Sequence, residues 1–204
     1  MNFLGHLYFS NNDLELMIAN LFGDFCKGNS FVNYSEPIKK GVLLHRNIDH
    51  YIDNHSAVKK VRSKLYNSLP KVSGIAIDLY FDHLLAIQWE YYHVKPYQEY
   101  LDEFYNYQSN YIANYPDDFQ IFLKQIIEYK WLNYYPTEYG LLKACQGVSK
   151  RISFPNELEN APDHLKNHEE ELKIAFNIYM VDAIAYFKID NTPTNNLNYS
   201  TSIF

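Results

Sequence analysis

The chain lacks several features that would define other classes of protein. Its 204 residues include only two cysteines, Cys26 and Cys145, which lie far apart and form no CxxC pair. Two isolated thiols are typical of a reducing compartment, so we expect a cytoplasmic protein without disulfides. No run of about 18 apolar residues occurs, so we expect no membrane span. The first residues carry neither a basic region nor a sustained apolar stretch, and we expect no signal peptide.

An excess of positive charge is also lacking. The net charge is −6, which disfavours non-specific binding to nucleic acid. The basic residues that do cluster are Lys59, Lys60, Arg62 and Lys64. They form either the solvated face of a helix or a docking patch for an acidic partner. The 20 tyrosines and 13 phenylalanines also have two interpretations: filling of the core and surface, which we favour, or a groove lined with rings.

Helical periodicity runs through nearly the whole chain, and the alternation typical of strands is scarce. Ser35 and Ser56 are placed to cap two helices, the first over about 36–54 and the second ending before Pro70. Further helices are predicted over about 74–93, 97–114, 117–134, 136–149 and 163–187. The sequence thus predicts an all-α fold with a single helical domain over 1–189. Residues 190–204 are rich in Asn, Thr and Ser, and we expect a polar, disordered tail.

The strongest functional signal is a set of acids and histidines on two apolar helical segments: His45, Asp49 and Asp53 on the first, and Asp78, Asp82 and His83 on the second. In each segment the aspartates recur every four residues, so they lie on one side of a helix. Burying several carboxylates together is costly unless a cation or hydrogen bonds compensate their charge. A mixed shell of histidine and aspartate around a divalent metal ion is the most economical interpretation.

The metal ligands predicted from the sequence are His6, Asp24, His45, Asp49, Asp82 and His83. Each has another explanation when taken singly. His6 could be a core histidine, Asp24 could serve a helix terminus, and Asp49 could pair with a histidine on an exposed face. The joint interpretation is favoured because three separated helices each bring acids to apolar places. Imidazole with carboxylate suits Mn, Fe, Zn or Ni, whereas a shell of oxygens alone would favour Mg or Ca.

Hydrolysis of a phosphate ester is the natural chemistry of such a site, because a divalent ion can polarise a phosphoryl oxygen and activate water. The paired Glu-x-x-His motifs of di-iron carboxylate bundles are missing, which disfavours redox chemistry. The predicted catalytic residues are Asp24, His45, Asp49, Asp82 and His83. Candidates for holding the substrate phosphate are Arg46, Lys150 and Arg151. The alternative for these three is an exposed surface position or, for the last two, interaction with a helix dipole.

A series of short motifs follows the order of a known family. They are 1–7, 20–25, 27–29, 45–49, Asp53-Asn54, Asp78, Asp82-His83, Trp89 and 149–151. Together they resemble the bacterial acyl carrier protein phosphodiesterases over roughly 1–187. Gly5 and Asn47 depart from the family pattern, where an alanine and a second basic residue are expected. The family is described as a divergent relative of the HD-domain phosphohydrolases, so the resemblance implies a helical, HD-phosphohydrolase-like and metal-dependent protein.

The resemblance implies a specific reaction within lipid metabolism and fatty acid biosynthesis. Water would cleave the phosphodiester at the serine of holo-acyl carrier protein, which gives apo-protein and 4′-phosphopantetheine. Mn²⁺ is the expected cofactor, with Fe, Mg or Zn as alternatives, and the basic cluster that begins at Lys59 would dock the acidic carrier. Two other functions stay open. One is an HD-like phosphohydrolase acting on a nucleotide or another small phosphoester, and the other is a non-enzymatic helical module that binds a carrier protein.

Overall fold

Every regular element in the described part of the chain is a helix. The computed structural model describes residues 1–190 together with 192–193. Within them, α-helices alternate with short 3-10 turns and no strand occurs, which confirms the predicted all-α fold. The helices are α1 Phe3–Tyr8, α2 Leu14–Leu21, α3 Glu36–Asn54, α4 Ser56–Leu65, α5 Ser73–Ile87, α6 Trp89–Tyr92, α7 Tyr97–Asn106, α8 Asp117–Tyr129, α9 Glu138–Ser149, α10 Ala161–Lys166 and α11 Glu169–Phe187.

The bounds of the helices agree with the prediction in part. α3 has the predicted bounds, although the Ser35 side chain accepts no capping hydrogen bond. Ser56 is the first residue of α4 rather than its cap. The helix predicted over 74–93 is broken at Gln88, and the one predicted over 163–187 is two helices, α10 and α11. Hydrophobic periodicity misses such breaks because the apolar pattern continues on both sides of them.

Helices α2 and α3 approach closely because Gly41 has no side chain. A Cβ atom on Gly41 would lie 2.2 Å from the Cβ atom of Ala19 on α2, so a larger residue would force the two helices apart. His45 lies one helical turn beyond Gly41 on α3. The ring of His45 stacks on that of His6 from α1, with 4.0 Å between the ring centroids. Two of the predicted ligands, His6 and His45, thus lie side by side.

The short helix α1 is anchored by an acid from a distant part of the chain. The Asp82 carboxylate on α5 accepts hydrogen bonds from the backbone N–H groups of Asn2, Leu4 and Gly5, at 3.1, 2.7 and 3.0 Å. The first N–H groups of a helix have no partner within the helix. Asp82 supplies that partner and fixes α1, and with it His6, against α5.

The described residues contain no disulfide and no membrane-spanning helix. Cys26 and Cys145 are buried, and neither is part of a disulfide. None of the helices over 1–190 is both long and apolar enough to cross a membrane. The predicted tail over 190–204 lies almost entirely outside the described residues, and its disorder stays a prediction.

Candidate metal centre and its cavity

Four predicted ligands from three parts of the chain meet at one place, which we call the His/Asp cluster: His6, Asp24, His45 and Asp49. The Nε2 atom of His45 lies 3.2 Å from Oδ2 of Asp49 and 3.4 Å from Oδ1 of Asp24. The Nε2 atom of His6 lies 3.3 Å from Oδ1 of Asp49. Ligand atoms of His6, His45 and Asp49 all lie within 4.8 Å of one another, a spacing that permits coordination of a single ion.

The hydrogen bonds of His6 show which of its ring nitrogens is free to bind an ion. The amide nitrogen of Asn20 donates to the backbone carbonyl of His6 at 2.8 Å and to Oγ of Ser10 at 3.0 Å. This orientation turns the amide oxygen of Asn20 toward Nδ1 of His6, 2.9 Å away, so Nδ1 carries the hydrogen. Burial lowers the pKa of His6 and so favours the neutral ring, and in that form the lone pair lies on Nε2. Asn20 is thus placed as an outer partner that would orient His6 toward a metal ion.

The lone pair of His6 faces only other acceptors. Its Nε2 atom lies 3.1 Å from the backbone carbonyl oxygen of Met1, in addition to Asp49. Burial acts to raise the pKa of Asp49, but hydrogen bonds with His45 and His6 outweigh it and lower the pKa, so this carboxylate is ionised. If the imidazoles give up the protons of these hydrogen bonds, the electron pairs of Nε2 and of the carboxylate converge, which is unfavourable unless a cation takes the place of the proton. The donor set therefore fits a divalent metal ion.

The ring of His45 packs directly against the backbone at Gly23. A Cβ atom on Gly23 would lie 2.1 Å from Cγ of His45, so the ring occupies the space that a side chain at position 23 would fill. Burial alone would lower the pKa of His45, but hydrogen bonds with Asp24 and Asp49 outweigh it and raise the pKa to about 9. A proton and a metal ion would therefore compete for Nε2 of His45.

The His/Asp cluster opens into a cavity of about 540 Å³. We call it the acidic cavity because four aspartates line it: Asp24, Asp49, Asp53 and Asp78. The side chains of Asp24 and Asp49 are 54% and 43% exposed, whereas those of His6 and His45 are 3% and 5% exposed. The cluster is thus closed by imidazoles on the core side and open on the cavity side. An open side is what a catalytic metal site requires.

Two members of the predicted shell, Asp82 and His83, lie outside the cluster. Burial raises the pKa of Asp82 to about 7, although the N-terminal amine and the backbone N–H donors of α1 favour its charged form. Nδ1 of His83 donates to the carbonyl oxygen of Tyr135 at 2.7 Å. The neighbouring Asp78 accepts from the amino group of Met1 at 3.0 Å. These groups have protein partners in place of the metal that the spacing predicted, and we leave Asp82 and His83 out of the ligand set.

The guanidinium of Arg46 bonds the backbone of the protein itself. Its guanidinium donates to the backbone carbonyl of Cys26 at 3.0 Å and to that of Gly28. It also lies over the ring of Phe31, 4.6 Å from the centroid. Arg46 does not line the acidic cavity. The structure therefore gives it a role in holding the loop after the 3-10 turn Phe22–Phe25 rather than the predicted contact with phosphate.

The other two candidates for phosphate binding, Lys150 and Arg151, follow the end of α9 and have different surroundings. Lys150 is exposed and lines neither the acidic cavity nor the neighbouring one. Arg151 lines the acidic cavity together with His6, Asp24 and Asp49. Among the described residues that line this cavity, Arg151 is the basic side chain, so the structure favours it over Lys150 as a partner for phosphate.

The four basic residues of α4 lie at the protein surface, and three of them have polar partners: Lys59 bonds Asn54, Arg62 bonds Asp53 and Lys64 bonds Glu171. Lys60 is exposed. Asp53 also lines the acidic cavity, so the 3.0 Å ion pair of Arg62 with Asp53 ties α4 to the rim of that cavity. The predicted docking helix is thus next to the candidate active site.

Comparison with known proteins agrees with this geometry. The family described as acyl carrier protein phosphodiesterase matches residues 1–183. The chain belongs to this family. A protein of Pectobacterium atrosepticum named acyl carrier protein phosphodiesterase is 28% identical over 181 residues, which cover 86% of this chain and 92% of the relative. A protein of Klebsiella pneumoniae with the same name is 28% identical over 180 residues, with the same coverage. One of Photorhabdus laumondii is 34% identical over 90 residues, or 44% of this chain and 46% of the relative.

No solved structure matches the chain, so the predicted likeness to HD-domain phosphohydrolases stays a prediction. Membership of the family supports the identification made from the motifs in the first half of the chain. The match also extends over α9 and over the Ser-Lys-Arg element at 149–151, which begins at the last residue of that helix.

Sequence reasoning missed two residues that support the cluster, Asn20 and Gly23. Asn20 is buried on α2 among Met17, Ile18 and Leu21. A lone amide within a buried apolar stretch was a usable signal, because a buried amide requires hydrogen-bond partners. For Gly23 no comparable signal exists, since a glycine next to an aspartate is equally common in ordinary turns.

Proposed function

We propose that this chain is a metal-dependent phosphodiester hydrolase that removes 4′-phosphopantetheine from holo-acyl carrier protein. The observation that carries the proposal is the His/Asp cluster, which opens into the acidic cavity of a chain that belongs to the acyl carrier protein phosphodiesterase family. The names of the relatives indicate a phosphoric diester hydrolase that acts on a carrier protein.

We assign the metal to His6, His45 and Asp49, with Asp24 at the edge of the same site. Two imidazoles and carboxylates suit Mn²⁺, Fe²⁺ or Zn²⁺ better than Mg²⁺, which prefers oxygen ligands. When bound there, a divalent ion supplies Lewis acidity toward a phosphoryl oxygen and lowers the pKa of water.

Side chains that line the acidic cavity would transfer the proton and bind the phosphate. Asp24 lines the acidic cavity and its side chain is 54% exposed, so its carboxylate is placed to take a proton from the attacking water. That proton leaves on the serine oxygen of the carrier, and the hydrolysis is balanced without another reactant. The guanidinium of Arg151 can hold a phosphate with two parallel hydrogen bonds and offset its charge.

We assign docking of the carrier protein to α4. Acyl carrier proteins are acidic, and Lys59 and Lys60 present positive charge beside the rim of the acidic cavity that Arg62 and Asp53 mark. Complementary charge steers association more than it adds to final affinity.

The test uses two aspartates of α3, one helical turn apart, that line the same cavity. Asp49→Asn removes a proposed ligand, whereas Asp53→Asn is a matched control because Asp53 bonds Arg62 rather than a histidine. Each protein is stripped with a chelator and reloaded with Mn²⁺, Fe²⁺, Zn²⁺ or Mg²⁺. We expect the wild type and Asp53→Asn to bind an ion and to hydrolyse holo-carrier protein, and Asp49→Asn to lose both properties.

Two outcomes would overturn the proposal. Hydrolysis of a nucleotide panel with no action on holo-carrier protein would support the alternative of a small-phosphoester hydrolase. Binding of the carrier with no ion bound and no hydrolysis would support the non-enzymatic module.

A further inference from the structure

A second cavity lies next to the acidic cavity and has a different character. Its volume is about 800 Å³, and we call it the aromatic cavity because rings from the region of α8 and α9 line it: Phe122, Trp131, Tyr134, Tyr135 and Tyr139. The side chains of Tyr134 and Tyr139 are 51% and 60% exposed. Exposed rings gathered at a concave surface mark a binding site more often than an ordinary surface.

The two cavities adjoin each other. Five residues line both of them: Asn2, Phe3, Phe122, Val148 and Arg151. A phosphate held by Arg151 would therefore lie at the junction, with the His/Asp cluster on one side and the rings on the other. A substrate with a phosphodiester and a long, mostly apolar substituent would fill both cavities at once.

We propose that the aromatic cavity binds the pantetheine arm of the carrier substrate while its phosphate lies at the junction. This inference rests on the proposed function. The arm joins a dimethyl-substituted carbon chain to two amides and a terminal thiol, so it needs an apolar channel with a few polar groups. The cavity supplies such groups through Gln125 and Lys143. Its volume falls in the range of about 300–1,000 Å³ that is typical of sites for ligands of drug-like size.

Gly147 on α9 gives a direct way to close the aromatic cavity. It lines this cavity but not the acidic one. A Cβ atom at Gly147 would meet no atom within 4 Å, so a side chain at this position starts in open space at the wall of the cavity. Replacing a glycine within a helix also stabilises the helix, because glycine has a low helix propensity. Gly147→Phe is therefore expected to fold and to block the arm. Leu142→Phe, on the same helix at an exposed position outside both cavities, is the matched control.

Kinetics on two substrates form the first readout. Gly147→Phe should lower kcat/KM for holo-carrier protein by roughly tenfold or more, because binding of a remote part of the substrate contributes to the reaction. Hydrolysis of the small diester bis(4-nitrophenyl) phosphate should stay within about twofold of the wild type. Leu142→Phe should resemble the wild type on both substrates. Wild-type turnover of holo-carrier protein by Gly147→Phe would overturn the proposal.

Binding of free pantetheine, which has no phosphate, is the second readout and needs no turnover. Trp131 lines the aromatic cavity, whereas Trp89 is buried in the core, so a saturable change in tryptophan fluorescence reports the occupancy of this cavity. We expect the change in the wild type and its loss in Gly147→Phe. If the wild type fails to hydrolyse holo-carrier protein but shows this binding, the proposed function fails and the pantetheine site stands. If hydrolysis of holo-carrier protein proceeds and Gly147→Phe binds pantetheine as well as the wild type does, the proposed pantetheine site is wrong and the proposed function stands.

Discussion

Replacing Asp82 separates the role that its spacing predicts from the role that the structure gives it. The sequence places Asp82 in the metal shell, whereas the structure shows its carboxylate holding the first turn of α1. Removing the carboxylate leaves the buried N–H groups of Leu4 and Gly5 without acceptors. An unsatisfied buried donor costs roughly 1–3 kcal/mol, so Asp82→Ala should lose about 2–6 kcal/mol of unfolding free energy. Such a loss approaches the whole stability of many domains, about 5–15 kcal/mol.

Asp82→Asn is the more informative variant because it keeps the shape and one acceptor oxygen. Its amide group would face the N–H of Leu4, which now bonds the second carboxylate oxygen at 2.7 Å. We expect one lost hydrogen bond and a cost of about 1–3 kcal/mol. Urea unfolding measures this as a lower midpoint with an unchanged slope. Metal content and turnover of the folded variant should stay near those of the wild type.

One result would refute the account of Asp82. If Asp82→Asn unfolds at the wild-type urea concentration but binds no metal, Asp82 is a ligand as its spacing predicted, and the anchoring of α1 does not depend on it. Asp53→Asn, at a more exposed aspartate that lines the acidic cavity, is the control for a general effect of lost charge.

Three further variants test the remaining assignments. Gly23→Ala should displace the ring of His45 and weaken metal binding, as measured by competition with a chelator; unchanged affinity would mean that the ring can move without cost. Arg46→Lys should make the loop over 26–31 more sensitive to proteolysis while kcat stays the same, and a fall in kcat with an intact loop would restore its predicted contact with phosphate. Lys59→Glu with Lys60→Glu should raise KM for the carrier but not for a small diester, as should salt, since attraction between exposed charges is screened within about 10 Å at 0.1 M. Normal processing by that double variant at low salt would move docking away from α4.

The helices and the centre of the site were predictable because both depend on local geometry. An apolar repeat of 3.6 residues gives α3, and a spacing of four residues puts His45 and Asp49 on one face of it. The same geometry explains why Arg46 lies elsewhere. Neighbouring residues in a helix are rotated by about 100° from one another, so Arg46 cannot share the direction of His45, and this could have been inferred from the sequence.

The partners of buried acids were not predictable, because they come from distant parts of the chain. Asp82 and Asp49 have the same residue type, and each lies four residues from another aspartate on its helix. The first meets the N–H groups at the start of α1, and the second meets two imidazoles. Spacing shows that a carboxylate faces inward but not which donor meets it. The aromatic cavity was equally hidden, since composition does not distinguish the rings that fill the core from those that line a groove.

The intact mass of holo-acyl carrier protein after incubation with this protein tests the central claim most directly. With Mn²⁺ and the wild type, we expect the carrier to lose the mass of its 4′-phosphopantetheine arm and to become apo-protein with an unmodified serine. Chelation and Asp49→Asn should each prevent the change, and Asp53→Asn should not. An unchanged carrier mass in the presence of metal-loaded wild type, or equal conversion after the metal has been removed, would contradict the account.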